Sequence, residues 1–518
     1  MRARSSFAAG ITGLTVTLLL GAGPIAPETR PLWQIPCAEL GSTAWGGFRI
    51  EAAAAVEATE SSPAHCAVTG TIDAEIRFEL LLPLPEAWNG RFVMGGGGGF
   101  VGTLDNQAMT LYANPETPLA RGFATVGTDT GHRGNVVDAS WALERDDREV
   151  NFAHRAIHVT AEAAKTVIRL HYGRDIDYSY FLGCSRGGGQ AMMESQRYPD
   201  DFDGIVAGAP AFDWPGVGAH FVQVQQAMYP NATELSRPVV TAETRELLAA
   251  AILEACDDLD GLADGILNDP RDCDFRPEDL PVCGSDAGEG CVTPAELQAI
   301  QVVYRGATSG GELIYPGFPF GGEDDPGGWG SWVAGPAGLF PGLPTYQFAF
   351  GTQLYKYLVF DDPDWDYTAY DFSTWRSDTR DAAELLNATD TDLSAFEVAG
   401  GKLILWTGWS DHALSALKTI DYYEEVLAED PGAEEYLRLF LAPGVLHCSG
   451  GPGPDRVDWL GAVQRWVEDG QAPERVLAWK SGAGGAIEMQ RPLCAYPMEA
   501  RYAGSGDPKQ EESFTCGG

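Results

Sequence analysis

The sequence predicts an α/β fold built on a mainly parallel sheet and interrupted by a large inserted domain. Three observations carry that expectation. Strand-like and helix-like segments alternate from about residue 76 to residue 211, the rhythm is then lost over residues 213–395, and it resumes at Lys402. Such alternation implies parallel strands joined by helical crossovers that cover both faces of the sheet.

Residues 1–27 read as a secretory signal, with Arg2 and Arg4, an apolar run over 7–20, and small residues at 21–23. The run is short for a membrane span, and no other apolar stretch approaches bilayer length. The expected product is therefore a secreted or periplasmic protein. The first part of the core, residues 28–212, contains strands at 75–82, 91–94, 123–128, 178–182 and 204–208. Its helices cover 151–171, which stops before Gly173, and 190–197, which ends before Pro199. Residues 213–395, rich in Pro, Gly, Trp and Asp, form the insertion, with helices at 242–255 and 294–304. The second part of the core, residues 396–518, alternates again: strand 402–406, helix 414–428, strand 437–441, helix 457–468.

Composition narrows the partners. Acidic residues outnumber basic ones 74 to 34, and a net charge of −40 repels nucleic acids and anionic membranes. Neither is an expected partner; a small molecule is. Ten cysteines in an exported chain suggest disulfides, and no Cys-x-x-Cys pair suggests zinc. Spacing leaves the connectivity open, with Cys256/Cys273, Cys283/Cys291 and Cys494/Cys516 as the nearest pairs.

The chemistry centres on Gly183-Cys184-Ser185-Arg186-Gly187, a Gly-x-Ser-x-Gly pattern between a strand and a helix. In that context the pattern is a nucleophile elbow, a sharp turn that exposes the serine hydroxyl at the sheet edge. A serine needs a base, and the base needs a carboxylate to fix its tautomer. In α/β-hydrolases these follow the serine in the order acid, then histidine. Only His220, His412 and His447 follow Ser185, and His447 lies just beyond strand 437–441, where the base belongs. Asp411, after strand 402–406, is the candidate acid. Cys184 precedes the serine and Cys448 follows the histidine. A bond between them would clamp nucleophile and base together, with a loop-closure stabilisation above ~4 kcal/mol on the chain-entropy argument.

Cys184-Ser185, Asp411 and His447-Cys448, with Arg197-Tyr198-Pro199, residues 201–210 and residues 450–455, resemble the tannase and feruloyl esterase family from about residue 37 to 516. The resemblance implies an α/β-hydrolase fold whose insertion is a lid. It also implies the pairings Cys37–Cys66, Cys184–Cys448, Cys256–Cys273, Cys283–Cys291 and Cys494–Cys516. It implies an oxyanion hole made by the N–H of Arg186 and a glycine of the 95–99 run, where Gly97 and Gly98 are the candidates. Carboxylates at Asp257, Asp260 and Asp264 stand around glycines on a turning loop that suits calcium but is not an EF-hand. The resemblance implies a structural calcium held by those three side chains and the carbonyls of Leu262 and Ile266. Two departures bear on specificity: Arg186 replaces the Thr or Glu familiar in the family, placing positive charge beside the acyl site, and Thr407 replaces a His.

Trp329, Trp332, Tyr346, Phe348 and Phe350 are candidates for an aromatic acyl pocket or for the insertion's own core. Trp332, Phe348 and Thr407 are the expected substrate contacts, and Arg376 and Lys356 are candidate cations for a substrate carboxylate. The expected activity is a serine carboxylesterase acting on esters of hydroxycinnamic, gallic or related phenolic acids. Terephthalate monoesters are the alternative substrate. A catalytically silent, calcium-dependent binding protein is the alternative of another class.

Overall fold

A computed structural model describes residues 34–42, 45–284, 290–335 and 343–518. The expected signal segment, residues 1–27, lies outside them. Nine strands form the central sheet: β1 (Phe48–Val56), β2 (His65–Ile72), β3 (Ile76–Pro83), β4 (Arg91–Gly95), β5 (Ala124–Thr128), β6 (Tyr178–Ser185), β7 (Gly204–Pro210), β8 (Lys402–Gly408) and β9 (Leu437–Ala442). Their order is β1-β2-β3-β5-β4-β6-β7-β8-β9. The first four in that order pair antiparallel, and from β5 through β9 every pairing is parallel. The parallel part is covered on both faces, so β5, β7 and β8 read as near-continuous apolar runs rather than alternating ones.

Helix α1 (Ala156–Tyr172) turns Ile157, Ala161, Ala164, Val167 and Ile168 to the sheet at helical spacing and ends at Gly173, whose φ of 69° only glycine adopts freely. A π-turn over Asn151–Arg155 precedes it, so the sequence-derived helix 151–171 is helical throughout but wider in its first turn. Helix α2 (Arg186–Arg197) starts directly after β6.

The residues between β7 and β8 contribute no strand to the central sheet among the described residues. They contain α3 (Trp214–Met228), α4 (Ala242–Cys256), α5 (Pro294–Arg305) and α6 (Tyr346–Leu354). Helix α5 begins with a reciprocal Thr293/Glu296 cap and Pro294 in its first turn, the start signal its sequence carries. This region shares an apolar cluster with Phe100, Trp141 and Phe152, the last from the π-turn before α1. After β9 come β10 (Arg456–Val457), helix α7 (Trp459–Asp469), β11 (Arg475–Ser481) and β12 (Ile487–Cys494), the three strands making a small antiparallel sheet. All five disulfides pair as the resemblance implied. Among the described residues no helix is long and apolar enough to cross a membrane.

Candidate active site

Ser185 ends β6 and caps α2 with φ 64° and ψ −122°, a conformation that costs a non-glycine residue energy unless its neighbours enforce it. They do. The side chain of Gln107 holds the peptide groups of Cys184 from both sides, accepting its N–H at 2.8 Å and donating to its carbonyl at 3.2 Å. The Tyr112 hydroxyl donates to the carbonyl of Gly183 at 2.9 Å. The glycines are steric requirements here. A Cβ on Gly183 would stand 2.2 Å from the carbonyl oxygen of Gly187, and one on Gly188 would stand 2.3 Å from that of Gly208.

Asp411 and His447 sit just past the C-terminal ends of β8 and β9, on the same edge of the sheet as Ser185. His447 Nδ1 lies 2.8 Å from Asp411 Oδ2. Asp411 is fully buried, and its Oδ1 accepts the N–H groups of Ala413 (2.7 Å) and Leu414 (3.0 Å). A carboxylate only accepts, so Nδ1–H of His447 is the donor in this pair, and in the neutral ring the lone pair falls on Nε2. Nε2 is 3.8 Å from Sγ of Cys448, which is bonded to Cys184 with 6.0 Å between the Cα atoms. Ser185 and His447 are thus each one residue from a single bridge. His412, beside the acid, is buried, and burial lowers its pKa to about 4.

Ser185 opens into a narrow cavity of about 40 Å³ lined by Gly99, Arg186, Trp214, Phe221, Trp332, Phe350 and Leu414, among others. Trp332 meets the His447 ring edge-on at 4.9 Å and stacks on Phe350 at 5.9 Å. Trp332, an expected substrate contact, thus lines the cavity beside Ser185. Phe348 does not. It faces away from the cavity and packs against Tyr229 and Tyr367, because residues two apart on α6 point to different sides of the helix. Phe350 lines the cavity instead, and Trp214, Phe221 and Leu414 join it without any motif to announce them. Thr407 is also corrected: it is fully buried within β8, paired with Leu441, and is not among the lining residues. Arg376 pairs with Glu312 on an exposed surface at 2.9 Å.

The expected oxyanion donors need correction as well. The N–H of Gly97 donates to Gln190 Oε1 and that of Gly98 to Asp105 Oδ2, both at 3.1 Å, so neither is free. Of that run, Gly99 lines the cavity. The N–H of Arg186, first in α2, has no acceptor within its helix. The Arg186 side chain does not reach into the acyl site as a free charge. Its guanidinium donates to the carbonyls of Phe152 and Ala153 and lies over the rings of Phe152 (4.3 Å) and Trp214 (5.4 Å). Burial lowers its pKa to about 9.

In the acidic loop, Oδ1 of Asp257, Asp260 and Asp264 accepts the N–H of Gly265, Leu262 and Ile266 respectively. Arg491 donates to the other oxygen of Asp264. Burial, and then the charges of Asp264 and Asp257, push the Asp260 carboxyl up against the lowering effect of the Leu262 N–H. Among the described residues no three such side chains are gathered at metal-binding distance. Carboxylate and backbone carbonyl oxygens are the donor types that a hard cation takes.

The family model for tannase and feruloyl esterase matches residues 61–517. The mono(2-hydroxyethyl) terephthalate hydrolase of Piscinibacter sakaiensis is 36% identical, the match covering 90% of this chain and 87% of that one. Feruloyl esterase B of Aspergillus niger is 30% identical, covering 87% of this chain and 86% of its own. The crystal structure of feruloyl esterase B from Aspergillus oryzae superposes with a TM-score of 0.80 at 27% identity, over 93% of this chain and 99% of that one. With the α/β-hydrolase sheet, the serine elbow and the disulfide that ties it to the residue after His447, the chain belongs to the tannase and feruloyl esterase family of carboxylic ester hydrolases.

Proposed function

We propose that this hydrolase cleaves esters of aromatic acids by acyl transfer through Ser185. His447 Nε2 takes the serine proton as Oγ attacks the ester carbonyl, then returns it to the departing alkoxide. Asp411 holds the ring and stabilises its cationic form. Water, activated in turn by His447, releases the acid from the acyl-enzyme. The N–H of Arg186 is one oxyanion donor. Gly99, which lines the cavity, is the other in this reading, since Gly97 and Gly98 are already engaged. Removing one such donor typically costs about 3–4 kcal/mol of transition-state stabilisation.

The observation that carries the reading is the Cys184–Cys448 bridge, which spans 264 residues of sequence to bring nucleophile and base together. Trp214, Phe221, Trp332 and Phe350 support an aromatic acyl group, and because the cavity is narrow, a ring enters only as these side chains shift. The inserted region that carries them acts as a lid. Arg186 is spent on backbone carbonyls, Arg376 on Glu312, and Lys356 is not among the residues lining the cavity, which favours uncharged phenolic acyl groups such as feruloyl or galloyl. Terephthalate monoesters are the second reading, favoured by the 36% identical relative named for one. Five disulfides suit an oxidising compartment, hence a secreted or periplasmic enzyme. Calcium, held by Asp257, Asp260 and Asp264 with the carbonyls of Leu262 and Ile266, would stiffen the insertion and take no part in the reaction.

The test compares kcat/KM for methyl ferulate, methyl gallate and mono(2-hydroxyethyl) terephthalate, with Ser185→Ala as the control. A wild type inert on all three, or a Ser185→Ala variant that retains turnover, refutes the proposal.

A further inference from the structure

A second groove, of about 760 Å³, lies against the small C-terminal sheet and shares no lining residue with the cavity at Ser185. Along β11 Ala478 is fully buried, while Arg475, Leu477 and Trp479 alternate onto the groove, which Val476 and Ser481 also line. In register, Arg456 on β10 and Gln490 on β12 stand opposite Trp479 on either side. Arg465 reaches the same groove from α7.

The charge of this lining runs against the rest of the molecule. Three arginines and one carboxylate, Asp458, line the groove in a chain whose acids outnumber its bases 74 to 34. Asp458 is already committed, accepting from Arg121 and from the N–H of Gly461, both at 2.8 Å. Arg475 pairs with Glu511 at 2.6 Å. Arg456 and Arg465 have no ion-pair partner among the described residues. One unpaired surface arginine means little, because water solvates it. Two that line one groove with a half-buried indole, with Arg475 in the same lining, make a surface with a definite complement.

We propose that this groove binds an acidic oligosaccharide, a chain of sugar rings that carry carboxylates. Trp479 offers a flat apolar face for one ring, and Arg456 and Arg465 offer guanidinium forks that match carboxylate geometry. Gln490, Ser481 and Asn114 supply donors and acceptors for hydroxyls. Two unpaired guanidiniums, Arg456 and Arg465, fit repeated carboxylates better than they fit a single small acid. The surrounding charge of −40 opposes any polyanion, so attraction is confined to the groove and is sensitive to salt. The groove would hold a polymer beside the enzyme, independently of the ester that Ser185 takes.

The experiment is calorimetric titration of the full-length protein with oligogalacturonate, a neutral xylo-oligosaccharide, and benzoate. Oligogalacturonate binds saturably, and its affinity falls about tenfold between roughly 20 and 200 mM NaCl as the charges are screened. Arg456→Gln with Arg465→Gln, and separately Trp479→Ala, each weaken it by about tenfold. All three residues lie outside the Ser185 cavity, so hydrolysis of p-nitrophenyl acetate stays at the wild-type rate and reports that the variants fold. Three results overturn the proposal: no binding of oligogalacturonate at low salt, equal binding by wild type and variants, or equal binding of the neutral oligosaccharide. Benzoate binding as tightly as the oligomer overturns it too, because the groove is then a small-acid site.

Discussion

Asp411→Asn tests the proposed chemistry most sharply, because the surroundings dictate how the new side chain must sit. Oδ1 of Asp411 accepts two backbone N–H groups, from Ala413 and Leu414, and Oδ2 faces His447 Nδ1 at 2.8 Å. An asparagine can satisfy those two amides only with its carbonyl oxygen. Its NH₂ group is then turned toward His447, which must accept at Nδ1 and carry its proton on Nε2. That is the wrong tautomer for a base. The cost expected for such a flip is about 10⁴-fold in kcat, or about 5.5 kcal/mol of barrier. Stability should change far less, by about 1–2 kcal/mol, because the backbone hydrogen bonds survive and only the charge is lost. The assay is steady-state hydrolysis of p-nitrophenyl acetate alongside chemical denaturation. A loss in kcat smaller than about tenfold, with folding intact, would refute the role given to the Asp411–His447 pair.

Replacing both Cys184 and Cys448 with Ala removes a 264-residue closure and should destabilise the protein by up to about 5.6 kcal/mol on the chain-entropy model, with activity falling further than stability; unchanged kcat/KM contradicts the clamp. Phe348→Ala should cost about 3–5 kcal/mol of stability and leave substrate preference alone, whereas Trp332→Ala should change the ranking of aromatic esters, as the substrate panel will show. Burial lowers His220 and His412 to about 4 from the ordinary 6.5. Between those values the unfolded chain binds more protons, so stability falls as pH drops, by up to on the order of 3 kcal/mol per ring. Denaturation at pH 7 and near pH 4 should show this, and His220→Phe should flatten the slope. Chelating calcium should lower Tm without altering the kcat of protein that remains folded; an unchanged Tm, with Asp260→Asn equally silent, argues against the ion.

What could be read in the sequence was what depends on short pattern and chain order. Ser185, Asp411 and His447 each follow a recognisable strand, so their placement at one edge needed no knowledge of side-chain packing. Phe348 and Phe350 show the limit. Both are aromatic, two positions apart on one helix, and only the packing of α6 decides which meets the cavity. The amides of Gly97, Gly98 and Gly99 are alike in sequence and differ only in where the backbone turns them. Gln107 and Tyr112, which hold the elbow in its costly conformation, sit in a loop with no motif and act from more than seventy residues away. Strand β1 escaped notice because its alanines at 52–55 lack the branched or aromatic residues that mark a strand.

The bridge between positions 184 and 448 has a bearing on when the enzyme begins to work. Its second sulfur is made only after most of the polypeptide has left the ribosome, and the cytoplasm keeps thiols reduced. Nascent molecules therefore lack the covalent link between the Ser185 and His447 segments until they reach an oxidising space. On the proposed reading of an exported esterase, full activity would arrive with the oxidation that forms that bond and not with synthesis.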